Sequence, residues 1–174
     1  MSILNRLKTI DWRAFDAGIE IPGLTEAELP NLEAMTETVS GAGIAGEADM
    51  PTLGHYGSMT LKLKFRQVSE ALLALSVPEA HPIELRGSTQ VYNSLLGISQ
   101  TEAVKIVTRS IPKSNNLGTL APGKPTESEV EFEVVYIKVF VAGKPLFEHD
   151  KFNNITIVAG LPAMAQSMID IGVL

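Results

Sequence analysis

Residues 127–150 read E-S-E-V-E-F-E-V-V-Y-I-K-V-F-V-A-G-K-P-L-F-E-H-D, and this stretch decides the fold class. Its even positions run Val130, Phe132, Val134, Tyr136, Lys138 and Phe140. Its odd positions run Glu127, Glu129, Glu131 and Glu133, then Val135, Ile137, Val139 and Val141. Alternation with a period of two is the signature of a strand, because successive side chains leave opposite faces of the backbone. One long strand over 127–142 is expected. Gly143-Lys144 is a turn signal, so residues 138–142 and 145–149 are expected to form a hairpin. The even face is nearly all apolar, whereas the odd face is an acidic row that turns apolar halfway. Side chains on one face recur every ~6.8 Å along a strand, which makes four carboxylates a dense negative stripe. The apolar half of that face needs cover from a second layer or from a neighbouring subunit. A strand buried on both faces is expected at the heart of an assembly.

Working outward, residues 59–65 alternate Met59, Leu61, Leu63 and Phe65 with Thr60, Lys62 and Lys64, a second strand. Residues 67–75 carry Val68, Ala71, Leu72 and Leu75 at helical spacing, and Val77-Pro78 ends that helix. Residues 82–96 read as a strand broken near Gly87, and 102–111 as another rich in Val, Ile and Thr. Residues 153–159 extend the sheet. Pro162 suits a first helical turn, with a short apolar helix over 163–171. Two irregular stretches remain: a loop over about 111–126, and a longer one over 40–58 with five glycines and one proline. A loop that long in a small domain is functional, disordered or ordered by a partner. Strands in runs, with one or two short helices, predict a mainly β chain. The expected architecture is an antiparallel β-sandwich or barrel with flanking helices, as one domain over 1–174.

Composition narrows the function. The chain has 174 residues and no cysteine, so disulfides, thiolate zinc sites and cysteine nucleophiles are excluded. Twenty acidic residues against fourteen basic ones give a net charge of -6, the wrong sign for a general nucleic-acid binder. The opening MSILNRLKTI is not a secretory signal. No stretch approaches the ~20 apolar residues that span a bilayer, and no membrane anchor is expected.

Motifs for catalysis are poor. Gly41-Ala42-Gly43-Ile44-Ala45-Gly46 fits GxGxxG, but a dinucleotide site needs a strand before it and a helix after it. Pro51, Gly54 and Gly57 follow instead, so a glycine loop is the reading kept. His55, His81 and His149 are isolated, and no pair has the i, i+4 spacing of a helical metal site. No serine lies in a GxSxG elbow. No enzyme activity, cofactor or metal is expected. The acidic row admits a solvated face, a wall that repels nucleic acid, or a patch for a basic partner. It also admits cross-strand pairing with the basic row Thr60, Lys62, Lys64 and Arg66.

In order and spacing these features resemble the major tail tube proteins of contractile-tailed phages and tailocins, nearly end to end. Leu29-Pro30-Asn31-Leu32 is similar to the family's early extended L-P-x-L segment. A strand with Thr and Glu follows, then the GAGIAG cluster, the strand over 59–65 and the helix over 68–75. YIKVFVAGKPLFEHD resembles the family's aromatic strand, glycine turn and return strand ending in an acidic pair. Asn153 or Asn154 with Val158 and Gly160 fits its N…V.G, and DIGVL resembles its N-I-G-L ending. The turn departs from the family's Asp-Gly, the ending carries an extra Val173, and residues 94–100 are unfamiliar.

The resemblance implies a structural subunit of an inner tail tube. Hexameric rings join sheet to sheet around a lumen and stack inside a contractile sheath. It implies the tail sheath, baseplate and tail terminator proteins as partners, and DNA that passes through the lumen without specific binding. It places the chain in the virion tail, assembled in the host bacterial cytoplasm. Gly41, Gly43, Gly46, Pro51, Tyr56, Val139 and Val141 are then the expected interface. Glu127, Glu129, Glu131 and Glu133 are expected on a lumen or sheath face. A type VI secretion-like tube protein is the nearest alternative, and a small-ligand-binding β-barrel is the alternative of another class.

Overall fold

The computed structural model describes residues 4–172; the last two residues of the DIGVL ending lie outside them. In chain order the strands begin with β1 (Leu4–Asp16), β2 (Ile19–Glu20), β3 (Leu24–Glu28), β4 (Ala34–Ser40), β5 (Glu47–Tyr56) and β6 (Thr60–Phe65). Helix α1 (Glu70–Ala74) follows, then β7 (His81–Asn93), β8 (Ile98–Asn116), β9 (Ser128–Val141) and β10 (Lys144–Asp150). The chain continues through β11 (Ile155–Val158) and β12 (Leu161–Pro162) to α2 (Ala165–Asp170). All the pairings are antiparallel. The fold is the mainly β antiparallel sandwich, with two short flanking helices, that the alternating runs predict.

The sheet forks at β9. Along one edge β9 pairs with β8. Along the other, its first half pairs with β6, from Phe65↔Ser128 to Thr60↔Glu133, and its second half pairs with β10, from Asp150↔Tyr136 to Lys144↔Val141. At the fork Ser110 of β8 faces Val134 and Arg109 faces Tyr136, so Val135 is an extra residue, a β-bulge. Its carbonyl accepts from the Lys151 N–H at 3.1 Å, while the Val134 N–H donates to the Met59 carbonyl at 2.8 Å.

The bulge changes which positions face inward. Val130, Phe132 and Val134 belong to the core before it; Ile137 belongs to the core and Val139 packs against it after the bulge. The sequence pattern predicted a strand buried on both faces. The structure corrects this: the apolar run is the same core face, shifted by one residue.

β6 supplies Leu61, Leu63 and Phe65 to the core, and Met59 precedes them. Ile83 and Leu85 of β7 and Leu72 and Leu75 from α1 complete it. Ser69 caps α1 by accepting the Leu72 N–H at 3.3 Å. Thr108 and Ser110 face inward from β8. They are satisfied by a chain in which Ser110 donates to Thr108 at 2.9 Å and Thr108 to the Ile83 carbonyl at 3.1 Å.

Five features differ from the sequence reading. The stretch over 40–58 is no loop: β4 and β5 form a two-stranded hairpin whose turn is residues 41–46. Pro51 sits within β5 opposite Thr36, where the strand's other edge pairs with nothing among the described residues. The loop over 111–126 shrinks to 117–127, because β8 runs on to Asn116. β7 is continuous through Gly87, which the Trp12 side chain covers at 3.8 Å from where a Cβ would lie. Pro162 ends β12 and α2 starts three residues later. Leu29–Leu32 falls between β3 and β4, outside any strand.

Candidate functional site

The acidic row faces out of β9 and is charge-neutralised. Lys62 lies 3.8 Å from both Glu129 and Glu131, and Lys113 reaches Glu131 at 3.3 Å. Lys151 pairs with Glu133 at 2.8 Å, and Ser58 donates to the same carboxylate at 2.6 Å. Burial alone would push the Glu133 pKa up. The Lys151 and Ser58 hydrogen bonds outweigh that and hold it below the usual carboxylate value. Lys64 turns to β3 instead, meeting Glu26 at 3.2 Å and Glu28 at 2.5 Å. Glu127 stands apart, just before β9 with φ 54°. Glu129 and Glu131 are therefore paired across strands through Lys62 and Lys113, whereas Glu133 pairs with Lys151 in the turn after β10. Past the bulge the same outer face continues as Tyr136, Lys138 and Phe140, with Lys138 and the Tyr136 hydroxyl both on Glu148 at 3.0 and 2.9 Å.

The seven interface candidates fall in separate places. Gly41, Gly43 and Gly46 form the exposed hairpin turn, all with left-handed φ. Tyr56 lies at the hairpin base, its ring edge-on to Phe147 at 5.7 Å and to His149 at 4.9 Å. Val139, between Ile106 and Phe147 across the ladders, packs against the core, while Val141 is half-buried beside Val104 and Lys144.

The sequence reading missed β1. It pairs with β7 along its length and with β2 only at Phe15 and Asp16. Its other edge from Asn5 to Arg13 meets no strand among the described residues. Two bulges interrupt it, at Leu7 and Ile10, and these side chains are 58% and 55% exposed. Arg6 reaches across β7 to grip Glu102 of β8 through two bonds of 2.6 and 3.1 Å. At the end of the same three-stranded arm, Leu95 and Leu96 in the β7–β8 turn are exposed. An unpaired strand edge flanked by apolar side chains is a template for another strand.

Nothing resembling a reaction centre gathers among the described residues. His81 contacts Asp16 at 3.1 Å and the Val77 carbonyl at 3.2 Å, a structural clamp at the end of β1. Among the described residues no group of three His, Cys, Asp or Glu side chains suits a metal. A recess of about 740 Å³ lies against the arm beside Lys8, Ile10 and Gln90, not within the core. No helix among the described residues is long and apolar enough to cross a membrane.

Known proteins align with this arrangement. A family model described as phage tail tube protein FII matches residues 8–172. The tail tube protein of Escherichia phage P2 is 26% identical over 177 residues, covering 99% of each chain. The sheath/tube terminator of an extracellular contractile injection system, in its extended state, superimposes with a TM-score of 0.52 at 12% identity. That match covers 79% of this chain and 96% of that one, and it bears on the fold alone. With a family model spanning the unpaired arm, the hairpin and the forked sheet alike, this chain belongs to the phage tail tube protein FII family, whose members are structural components of the virion tail.

Proposed function

We propose that this chain is the subunit of the inner tube of a contractile phage tail or phage-tail-like particle. Copies close into hexameric rings, and the rings stack into a hollow tube within a contractile sheath. The observation that carries this reading is the open edge of β1. A strand of this length with one edge bare is completed by a second copy, and identical contacts repeated by rotation close into a ring. The β4–β5 hairpin, with Gly41, Gly43, Gly46 and Pro51 toward its tip and Tyr56 at its base, docks on the next ring. Val139 and Val141 keep β9 in shape where copies meet. The neutralised row Glu129, Glu131 and Glu133, with Glu127, forms a wall of the tube toward the lumen or the sheath.

The tube is a structural conduit. It conducts DNA without binding a particular sequence, contacts the sheath, baseplate and tail terminator proteins, and assembles in the host bacterial cytoplasm. Electron microscopy of the purified protein over a range of concentrations tests this. Rings and long tubes are expected. A monodisperse 18.7 kDa species at every concentration, holding a ligand, would favour the small-ligand β-barrel instead.

A further inference from the structure

The β4–β5 hairpin meets the rest of the chain at one small junction built around a buried histidine. Among the described residues β4 and β5 pair only with each other. At the hairpin base the Thr156 hydroxyl of β11 donates to the Gly54 carbonyl at 3.0 Å. That hydroxyl has one hydrogen, so its 2.9 Å contact with His149 Nδ1 runs the other way, the ring N–H donating and the oxygen accepting. The network thereby places a proton on Nδ1, and because Nε2 is buried without a partner the form that fits is the neutral imidazole with its lone pair there. His149 is 4% exposed, and Nε2 has no hydrogen-bond partner. Gly54, His55 and Tyr56 of the hairpin face His149 and Met164 of the body across a recess of about 170 Å³. Gly54 has φ +69°, and a Cβ there would lie 2.3 Å from the Met164 sulfur, so the backbone comes close only because the residue is glycine.

The geometry points to a proton-operated latch: neutral His149 holds the hairpin against the body, and a proton on Nε2 releases it. The Nδ1–H bond to Thr156 survives protonation. What changes is the other nitrogen, which becomes a buried cationic donor with no acceptor. Hairpin opening removes one wall of the recess and lets water reach it. The charged groups around the ring favour this response. Burial lowers the His149 pKa most, and Lys151 and then His55 add to the effect. The Ile155 carbonyl and Asp150 act the other way. Lys151 is itself held by Glu133, and Asp150 is committed to Asn153 and to the backbone N–H groups of Phe152 and Asn153. Since the latched value lies below the ordinary one, the opened form binds more protons in between. The latch is therefore at full strength above the ordinary histidine pKa and weakens as pH falls toward the depressed one.

This inference stands on the junction alone and is tested on dispersed protein, so it survives or fails independently of tube formation. Hydrogen exchange of the full chain is measured at about pH 7.5 and about pH 5, corrected for intrinsic rates. Exchange in residues 34–56 is expected to quicken roughly threefold or more at the lower pH while β7 and β8 stay unchanged. His149→Asn, whose amide N–H stands in for Nδ1–H without titrating, is expected to remove the pH response. Thr156→Val is expected to give fast exchange at both values. A flat wild-type profile, or a response that persists in His149→Asn, overturns the latch. So does a response abolished by His55→Gln alone, which would make His55 the sensor. Should the asparagine variant fail to fold, the His149 ring is titrated by NMR in the wild type. A midpoint that coincides with the rise in hairpin exchange supports the latch, and separated midpoints overturn it.

Discussion

Val134 and Ile137 contribute to one core although three positions separate them, a spacing that points opposite ways in a regular strand. Val135 makes up the difference, and the bulge coincides with the point where β9 leaves β6 and takes up β10. The fork and the phase shift are thus one feature. Removing Val135 alone brings Val134 and Ile137 to a spacing of two and keeps both inward. The cost is a buried valine and the carbonyl that accepts from Lys151, about 2–4 kcal/mol together. Removing residues 135 and 136 together turns Lys138 inward, where a charge without a partner costs several kcal/mol more. Thermal melting is expected to find the single deletion folded with a lowered Tm and the double deletion unfolded.

What the sequence made legible follows from what is buried. β6 reads directly because every second residue is core, and the β9–β10 turn reads from Gly143. The bulge was hidden because Val134 and Val135 are both apolar and buried, so the doublet fits either phase. β1 went unread because its first half is exposed on both faces and its period is interrupted at Leu7 and Ile10. In the β4–β5 hairpin, β5 and the turn before it were read as a loop for a related reason. Its strands are almost wholly exposed, so burial leaves no pattern on the sequence. Glu129, Glu131 and Glu133 share the outer face of β9 while Glu127 lies before it, and their lysine partners come from β6, β8 and the turn after β10, of which only β6 was foreseen.

The bare edge of β1 makes a separable prediction. Leu7 and Ile10 are more than half exposed, so replacing both with lysine changes the stability of the single chain by no more than about 0.5 kcal/mol each. If that edge receives a second copy, the same pair of charges is buried at every joint and assembly fails. An unchanged Tm with no rings by electron microscopy is the expected outcome. Normal tubes from the double variant would show that the edge is not the joint.

The hairpin makes a second. β4 and β5 add nothing to the core cluster, so replacing residues 36–51 with a short glycine turn should leave the melting transition nearly in place. Light scattering at high concentration is expected to show rings without elongation. Long tubes from the shortened chain would mean that ring stacking does not use the hairpin.

Glu133 supplies a pH-dependent prediction with a definite sign. Its folded pKa lies below the usual carboxylate value, with burial opposing and Lys151 and Ser58 prevailing. A group depressed in this way adds stability that is complete above its unfolded pKa and disappears as pH falls through the folded one. The unfolded chain takes up the proton first, which draws the equilibrium toward unfolding. Glu133→Gln keeps an acceptor for Ser58 but cannot ionise, so it removes this contribution at neutral pH and has nothing to lose in acid. The difference in Tm between wild type and variant is therefore expected to be largest at about pH 6 and to shrink steadily as the pH is lowered from there. A gap that stays constant over that range would show that the carboxylate acts through packing against Ser58 and Met59, and not through its charge.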